Sequence, residues 1–206
     1  MPLLHILSQK NILTLTYTLK AGDAVIIHSS NNFNIYLILE GALILSKVFT
    51  NREIISFSIL KSQDIVITSF KDLSRSNFFY KVEALADTYL LSFNHQSIQP
   101  YEKIIAIQNY QTSLRYTYMT EILAHRNTKD RLIHLLLILS ELFGVVNKSY
   151  INIPLNISKL MLASIIGSNR NTVGQLISQL EYNRSIRYSK QKIIIYDMVS
   201  LINSTT

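Results

Sequence analysis

The hydrophobic period of this chain changes near Pro100, and that change limits what the chain can fold into. Upstream, short β-type runs cover residues 13–19, 24–28, 35–39, 43–49, 54–59, 65–68, 78–83 and 88–93. Turn-formers separate them: Gly22-Asp23, residues 29–32, Glu40-Gly41, Thr50-Asn51 and Lys71-Asp72. Strands this closely spaced, with no long helix between them, predict a sandwich or jelly roll, and Gly41 is expected to supply a positive φ between two strands. Downstream, Ile104, Ile107, Gln111, Leu114, Tyr118 and Ile122 recur every three or four residues. They predict a helix from about Pro100 to His125, roughly 25 residues or ~37 Å long. A helix of that length need not all pack on a small roll, and an exposed stripe would suit a parallel contact with a second copy. Ordinary packing on the roll is the simpler alternative.

A further helix is expected to open at Thr128 as N-cap, to carry Leu132, Leu135, Leu136 and Leu139, and to stop at Gly144. His134 lies among these leucines and reads as a core or boundary histidine. Residues 150–155 read as an extended link holding Pro154.

The segment 158–180 has the spacing of a helix-turn-helix. Ser158 can cap a first helix, Gly167 makes the turn, and Ser168 or Asn169 caps a second helix carried by Thr172, Val173, Leu176, Ile177 and Leu180. Leu162, Ile166, Val173 and Leu176 fall where two such helices bury apolar groups against each other. Ala163 falls where the helices come closest. Two core helices that merely meet at a glycine rarely meet all these requirements. The second helix of such a pair enters the major groove N-terminus first, which directs Ser168, Asn169, Arg170, Asn171, Thr172 and Gln175 towards DNA. Arg170 can make a two-pronged contact to guanine, and Asn171 or Gln175 can pair with adenine. Ser168 and Thr172 suit phosphates. Beyond the motif, residues 185–188 and 193–196 read as two strands of a wing, to which Arg184, Arg187, Lys190 and Lys192 bring charge.

Charge supports this reading. From Arg126 onward there are ten Lys and Arg against four Asp and Glu, whereas the first 125 residues carry ten against nine. Almost all of the net +7 therefore lies beside the motif, as neutralising phosphates requires. Other chemistries find little support. No cysteine is present, so disulfides and thiolate sites are excluded, and the five histidines are scattered without metal-ligand spacing. GxSxG, P-loop and GxGxxG motifs are missing, as is any evident carboxylate pair, so neither an enzyme nor a bound cofactor or metal is expected. With 48% hydrophobic residues the chain is expected to fold, and its longest apolar run, 132–139, falls short of the ~18–20 residues of a membrane span. The start of the chain lacks the layout of a secretory signal. Usage favours Ile, Asn, Lys, Ser and Tyr, residues with A/T-rich codons, as in an organelle or bacterial genome.

The run Ile166-Gly167-Ser168-Asn169-Arg170-Asn171-Thr172-Val173-Gly174-Gln175 resembles the recognition helix of the Crp/Fnr family, that of the cyclic-AMP receptor protein and the fumarate–nitrate regulator. Within that family the chain is most similar to the cyanobacterial global nitrogen regulators. Leu123-Ala124-His125-Arg126, Arg131-Leu132, Leu136-Leu137-Ile138-Leu139 and Phe143-Gly144 carry this likeness, with Tyr36-Leu37-Ile38-Leu39-Glu40-Gly41-Ala42 upstream. Together with the codon usage, this looks like a plastid-encoded red-algal relative, which implies a chloroplast location; a bacterial cytoplasm is the alternative. The resemblance implies an α+β fold in three parts. These are a β-roll (a double-stranded β-helix of the cyclic-nucleotide-binding type) over 1–97, a dimerisation helix over 98–126, and a winged helix-turn-helix over 127–206. It implies a homodimeric regulator of transcription that binds double-stranded DNA, works with RNA polymerase and is linked to nitrogen control, with Ser158 joining the DNA-contacting residues.

It does not carry the family's effectors across. Cyclic-nucleotide binders have a Phe-Gly-Glu cassette followed by an Arg, where this chain reads Ile65-Val66-Ile67-Thr68. The positions at which the nitrogen regulators hold 2-oxoglutarate contain Phe78, Thr112 and Thr117, with Arg75 nearby. A dicarboxylate without paired cations is poorly held, so weak or absent binding is expected. In the recognition helix Arg170 keeps the family's guanine-reading Arg. Asn171, however, replaces a Glu or Val, and Gln175 replaces an Arg, so the operator is expected to share only part of the family sequence. A ligand-independent architectural or interaction protein is the alternative function.

Overall fold

The computed structural model describes residues 2–27, 34–67 and 77–203. It divides into two compact units, Met1–Tyr116 and Thr117–Thr206. The turns expected at 29–32 and 71–72, and the residues His28, Thr68 and Arg75, lie outside the described residues.

The first unit opens with a helix, α1 (Pro2–Gln9), that the sequence reading did not anticipate. Among the described residues eight strands follow: β1 (Thr14–Leu19), β2 (Ala24–Ile27), β3 (Asn34–Glu40), β4 (Ala42–Phe49), β5 (Ile54–Lys61), β6 (Ile65–Ile67), β7 (Phe78–Ala84) and β8 (Thr88–Asn94). They form two antiparallel four-stranded sheets, ordered β1-β8-β3-β6 and β2-β7-β4-β5. Every strand sends a side chain into one shared core, built from Leu19, Ile27, Ile38, Leu43, Leu45, Leu60, Val66, Val82, Ala84 and Leu90. This is the expected jelly roll.

The other face of the first sheet is also dry. Ile35, Leu37, Ile65 and Phe93 point outward, and Leu3, Leu7, Ile98 and Ile105 cover them. Cover on both faces explains why β3 is apolar at nearly every position. Gly41 has φ +106°, and a Cβ there would overlap the Thr88 hydroxyl, so its turn admits only glycine.

A 3-10 turn (His95–Tyr101) contains Pro100 and is opened by Asn94, whose side chain accepts from the Gln96 N–H at 2.8 Å. The long helix, α2 (Glu102–Ala124), therefore begins two residues later than the sequence suggested. Its inner face is fastened to the β5–β6 turn. Thr112 is fully buried, and its hydroxyl accepts from the Ile65 N–H at 3.0 Å. Arg115 Nε lies 3.2 Å from the nearly buried Asp64 carboxylate, which also accepts from the Lys61 N–H at 2.8 Å. Burial pushes the Asp64 carboxyl above its ordinary value, and the Lys61 N–H and Arg115 offset only part of that. On the opposite face Ile107, Tyr110 and Leu114 stand 64%, 63% and 38% exposed.

The second unit contains α3 (Thr128–Phe143), β9 (Val145–Val146), β10 (Ile151–Ile153), α4 (Lys159–Ile165), α5 (Arg170–Tyr182), β11 (Ile186–Ser189), β12 (Lys192–Ile195) and α6 (Met198–Asn203). Asn127, not Thr128, caps α3: its side chain accepts from the Asp130 N–H at 2.8 Å, and Thr128 is already helical. Gly144 ends α3, but in an extended conformation (φ −68°, ψ 129°) and not a left-handed one. Glycine is needed there because a Cβ would overlap the Ser140 carbonyl. The link read over 150–155 contains β10, which joins β9 and the wing in one sheet ordered β11-β12-β10-β9. Among the described residues, no helix is long and apolar enough to cross a membrane.

Candidate nucleic-acid interface

Two short helices and a hairpin build the charged face of the second unit. Ser158 is extended (φ −78°, ψ 158°), and its Oγ accepts from the Met161 N–H at 3.1 Å, which starts α4. After Ile166 the chain turns at Gly167, φ +62°, and the Ser168 N–H donates back to the Ala163 carbonyl at 2.8 Å. Asn169 caps α5, accepting from the Thr172 N–H at 2.9 Å. Of the two caps considered from sequence, the structure uses Asn169.

Leu162, Ala163, Ile166 and Val173 are buried as the spacing required. Leu176 is only half-buried, and Ile177 fills the inward position instead. That pairing of α4 with α5 leaves Asn169, Arg170, Asn171 and Gln175 exposed on one surface, with Ser168 and Thr172 partly covered beside them. Arg170, Asn171 and Gln175 line a shallow concavity together with Gly174 and Lys159.

Sequence reasoning overlooked Lys159. It is the first residue of α4, and its Cδ lies 4.0 Å from where a Gly174 Cβ would stand, so its stem lies beside α5. Its ammonium sits 5.5 Å from the Tyr188 ring centroid. Tyr188 is fixed in turn, its hydroxyl donating to the Ile157 carbonyl at 2.8 Å and its N–H to Glu181 Oε1 at 2.9 Å.

The wing contributes a second concavity, lined by Arg187, Ser189, Lys192 and Ile194. In the hairpin register Arg187 faces Ile194 and Ser189 faces Lys192, which puts both cations on one outward face. Tyr188 and Ile193 take the inward face. Lys190 is exposed at the hairpin tip, and its carbonyl accepts from the Ile157 N–H at 2.9 Å, tying the wing to the start of α4. Arg184, φ +57°, turns the chain out of α5 towards β11 and is exposed. Among the described residues, none of Arg170, Arg184, Arg187, Lys190 and Lys192 is ion-paired. This face keeps its positive charge for a partner.

In the first unit, the positions compared with effector-binding ones are occupied differently. Phe78 packs between Phe49 and Tyr80, with centroids 5.8 and 5.6 Å away, and Lys47 Nζ lies 3.4 Å from its ring centre. Thr112 is committed to the Ile65 N–H, and Thr117, at the start of the second unit, is exposed.

Comparison with known proteins identifies this arrangement. Residues 130–203 match the Crp-like helix-turn-helix domain. The ycf28 protein of Porphyra purpurea, described as an HTH-type transcriptional regulator, is 33% identical over 97% of this chain and 86% of its own length. The global nitrogen regulator of Synechocystis sp. is 32% identical over 84% of this chain and 80% of its own. A CRP-family transcriptional regulator from Thermus thermophilus shares the fold, with a TM-score of 0.76 over 91% of this chain and 95% of its own at 13% identity. The chain belongs to the Crp/Fnr family of transcription regulators, related within it to the global nitrogen regulators.

Proposed function

We propose that this regulator binds double-stranded DNA as a homodimer, reading bases with α5 and gripping phosphates with its wing. The observation that carries the reading is the unpaired cationic face, in which the exposed Arg170, Asn171 and Gln175 share one concavity. Arg170 pairs with guanine O6 and N7, and Asn171 or Gln175 with adenine. Ser168, Asn169 and Thr172 at the start of α5, Ser158 at the start of α4, and Lys159, Arg184, Arg187, Lys190 and Lys192 hold the backbone. The functional division is a roll over 1–97, a dimerisation helix over 98–126 and a DNA-binding domain over 127–206. The exposed stripe of Ile107, Tyr110 and Leu114 supports the homodimer. Likeness over most of the chain to transcription regulators favours control of transcription with RNA polymerase over an architectural role and over an enzyme. The red-algal relative supports a plastid location, and the cyanobacterial ones support nitrogen-linked targets. Binding of 2-oxoglutarate is expected to be weak or absent, because Phe78 packs among aromatic rings and Thr112 is committed to the Ile65 N–H. Cyclic AMP is not expected to bind, because Ile65-Val66-Ile67-Thr68 replaces the glycine and carboxylate of its cassette. Mapping the DNA occupied by the protein in its own compartment tests the function. Occupancy concentrated upstream of transcription units at one shared two-fold motif is expected, and even coverage would contradict it.

A further inference from the structure

His125 and His134 stand apart from the DNA-facing side chains. His125 follows the last residue of α2, and His134 lies in the second turn of α3. Nε2 of His125 and Nδ1 of His134 are 2.9 Å apart, with the rings edge to face at 85° and their centroids 5.0 Å apart. One proton held between two nitrogens fits that geometry, and either imidazole can be its donor. The remaining ring nitrogen of His134 is 4.0 Å from Glu121 Oε2. Glu121 and His125 are one turn apart, so α2 presents its carboxylate and its imidazole to the same neighbour.

The backbone at this junction is held as well. Arg131 Nε donates to the His125 carbonyl at 2.9 Å, and its Nη1 donates to the Ile166 carbonyl at 3.3 Å. Ile166 is the residue before the Gly167 turn. At Gly167 a Cβ would stand 3.6 Å from both Arg131 Nη1 and Leu123 Cδ2, so the turn between α4 and α5 rests on Arg131 and on the last turn of α2. Polar contacts therefore run from Glu121 through the two histidines and Arg131 to the helix-turn-helix.

We propose that the His125–His134 pair positions the helix-turn-helix on the end of α2 and weakens DNA binding at acid pH, because two imidazoles can share one proton but not two. A first proton still leaves one donor and one acceptor. A second turns both facing nitrogens into donors and breaks the contact. The charged groups around the pair are Glu121 on α2, Arg126 in the link, and Asp130 and Arg131 on α3. β10, which packs on α3, brings none. Burial, and next the charge on His125, hold the His134 imidazole below its ordinary value, with Glu121 opposing them. As pH falls past about 6.5, the unfolded chain takes up this proton before the folded one. The contribution of the pair is thus present above that pH and is lost as pH falls through the lowered value. Histidines merely near DNA act in the opposite sense, since each added positive charge strengthens attraction to phosphate.

The proposal rests on the DNA-binding reading, and the two fail differently. If that reading fails, no selective binding is seen at any pH; if only this proposal fails, binding remains with another pH profile. The experiment measures the affinity of the full chain for one selected duplex by fluorescence anisotropy, at fixed salt, between about pH 7.5 and about pH 5.5. Wild type, His134→Gln and His125→Gln are compared, with the fold of each checked by circular dichroism across the range. Wild type is expected to lose roughly ten-fold in affinity towards acid. Each folded variant is expected to show a flat or rising profile. Imidazole NMR titration of the free wild-type protein should show His134 titrating below its ordinary value. A wild-type affinity that holds or rises towards acid would overturn the proposal. So would a folded variant that keeps the wild-type slope.

Discussion

Beside Gly174 of the recognition helix stands the stem of Lys159 from the preceding helix, with its Cδ 4.0 Å from where a Cβ on that glycine would be. A lysine in this place is a point charge on a flexible stem, suited to a phosphate and poorly suited to two-pronged base reading. Lys159→Ala should therefore weaken binding to all sequences about equally and lower the slope of log affinity against log salt by about one. Affinity measured at several salt concentrations on matched and unmatched duplexes checks this. Arg170→Ala should behave differently, with its loss concentrated at one base pair. Ser158 and Asn169 were legible as caps because capping follows from residue type and position alone. Lys159 was not legible, because its place depends on how α4 and α5 pack and on the ring of Tyr188 reaching in from the wing.

Among the elements, the eight strands could be read because polar turns punctuate them and because the roll core takes alternate side chains from each. α1 could not, since a short apolar segment at a chain start has no periodic partner until Ile35, Leu37 and Phe93 are seen to need cover. β9 was missed, and β10 was read only as part of an extended link, for a related reason: two- and three-residue strands are defined by the neighbours they pair with, not by their own pattern. The long helix was legible in extent but not in its fastening. Asp64 and Arg115, 51 residues apart, meet only once the β5–β6 turn is formed. Removing one partner of such a buried pair leaves the other charge unsatisfied. Arg115→Met should thus destabilise the protein by roughly 3 kcal/mol. Asp64→Asn should cost less, because its remaining oxygen still accepts from the Lys61 N–H. Burial already raises the Asp64 carboxyl in the folded protein, so its ionisation costs stability as pH rises through that raised value. Arg115→Met should steepen this loss as pH rises above about 4. Urea unfolding of both variants across that range measures each effect.

For the whole molecule, two features matter: the excess of positive charge from Arg126 onward, and the apolar side chains exposed on α2. The first raises affinity for any DNA, and the second places two reading heads on one site in the proposed homodimer. Charge on that stripe should separate the copies. Leu114→Asp is expected to shift sedimentation from dimer to monomer at micromolar concentration and to reduce affinity for a two-fold site, while a single half-site is bound nearly as before. The central claim is that α5 reads sequence through Arg170. Selection of bound duplexes from a random pool, with the wild-type chain and with Arg170→Ala in parallel, tests it most directly. Wild type should enrich a two-fold motif with half-sites about one helical turn, ~10 bp, apart, and Arg170→Ala should lose the preference for guanine at one symmetric position and little else. A wild-type pool that enriches no motif, or an Arg170→Ala pool with the same motif at uniformly lower affinity, would contradict it.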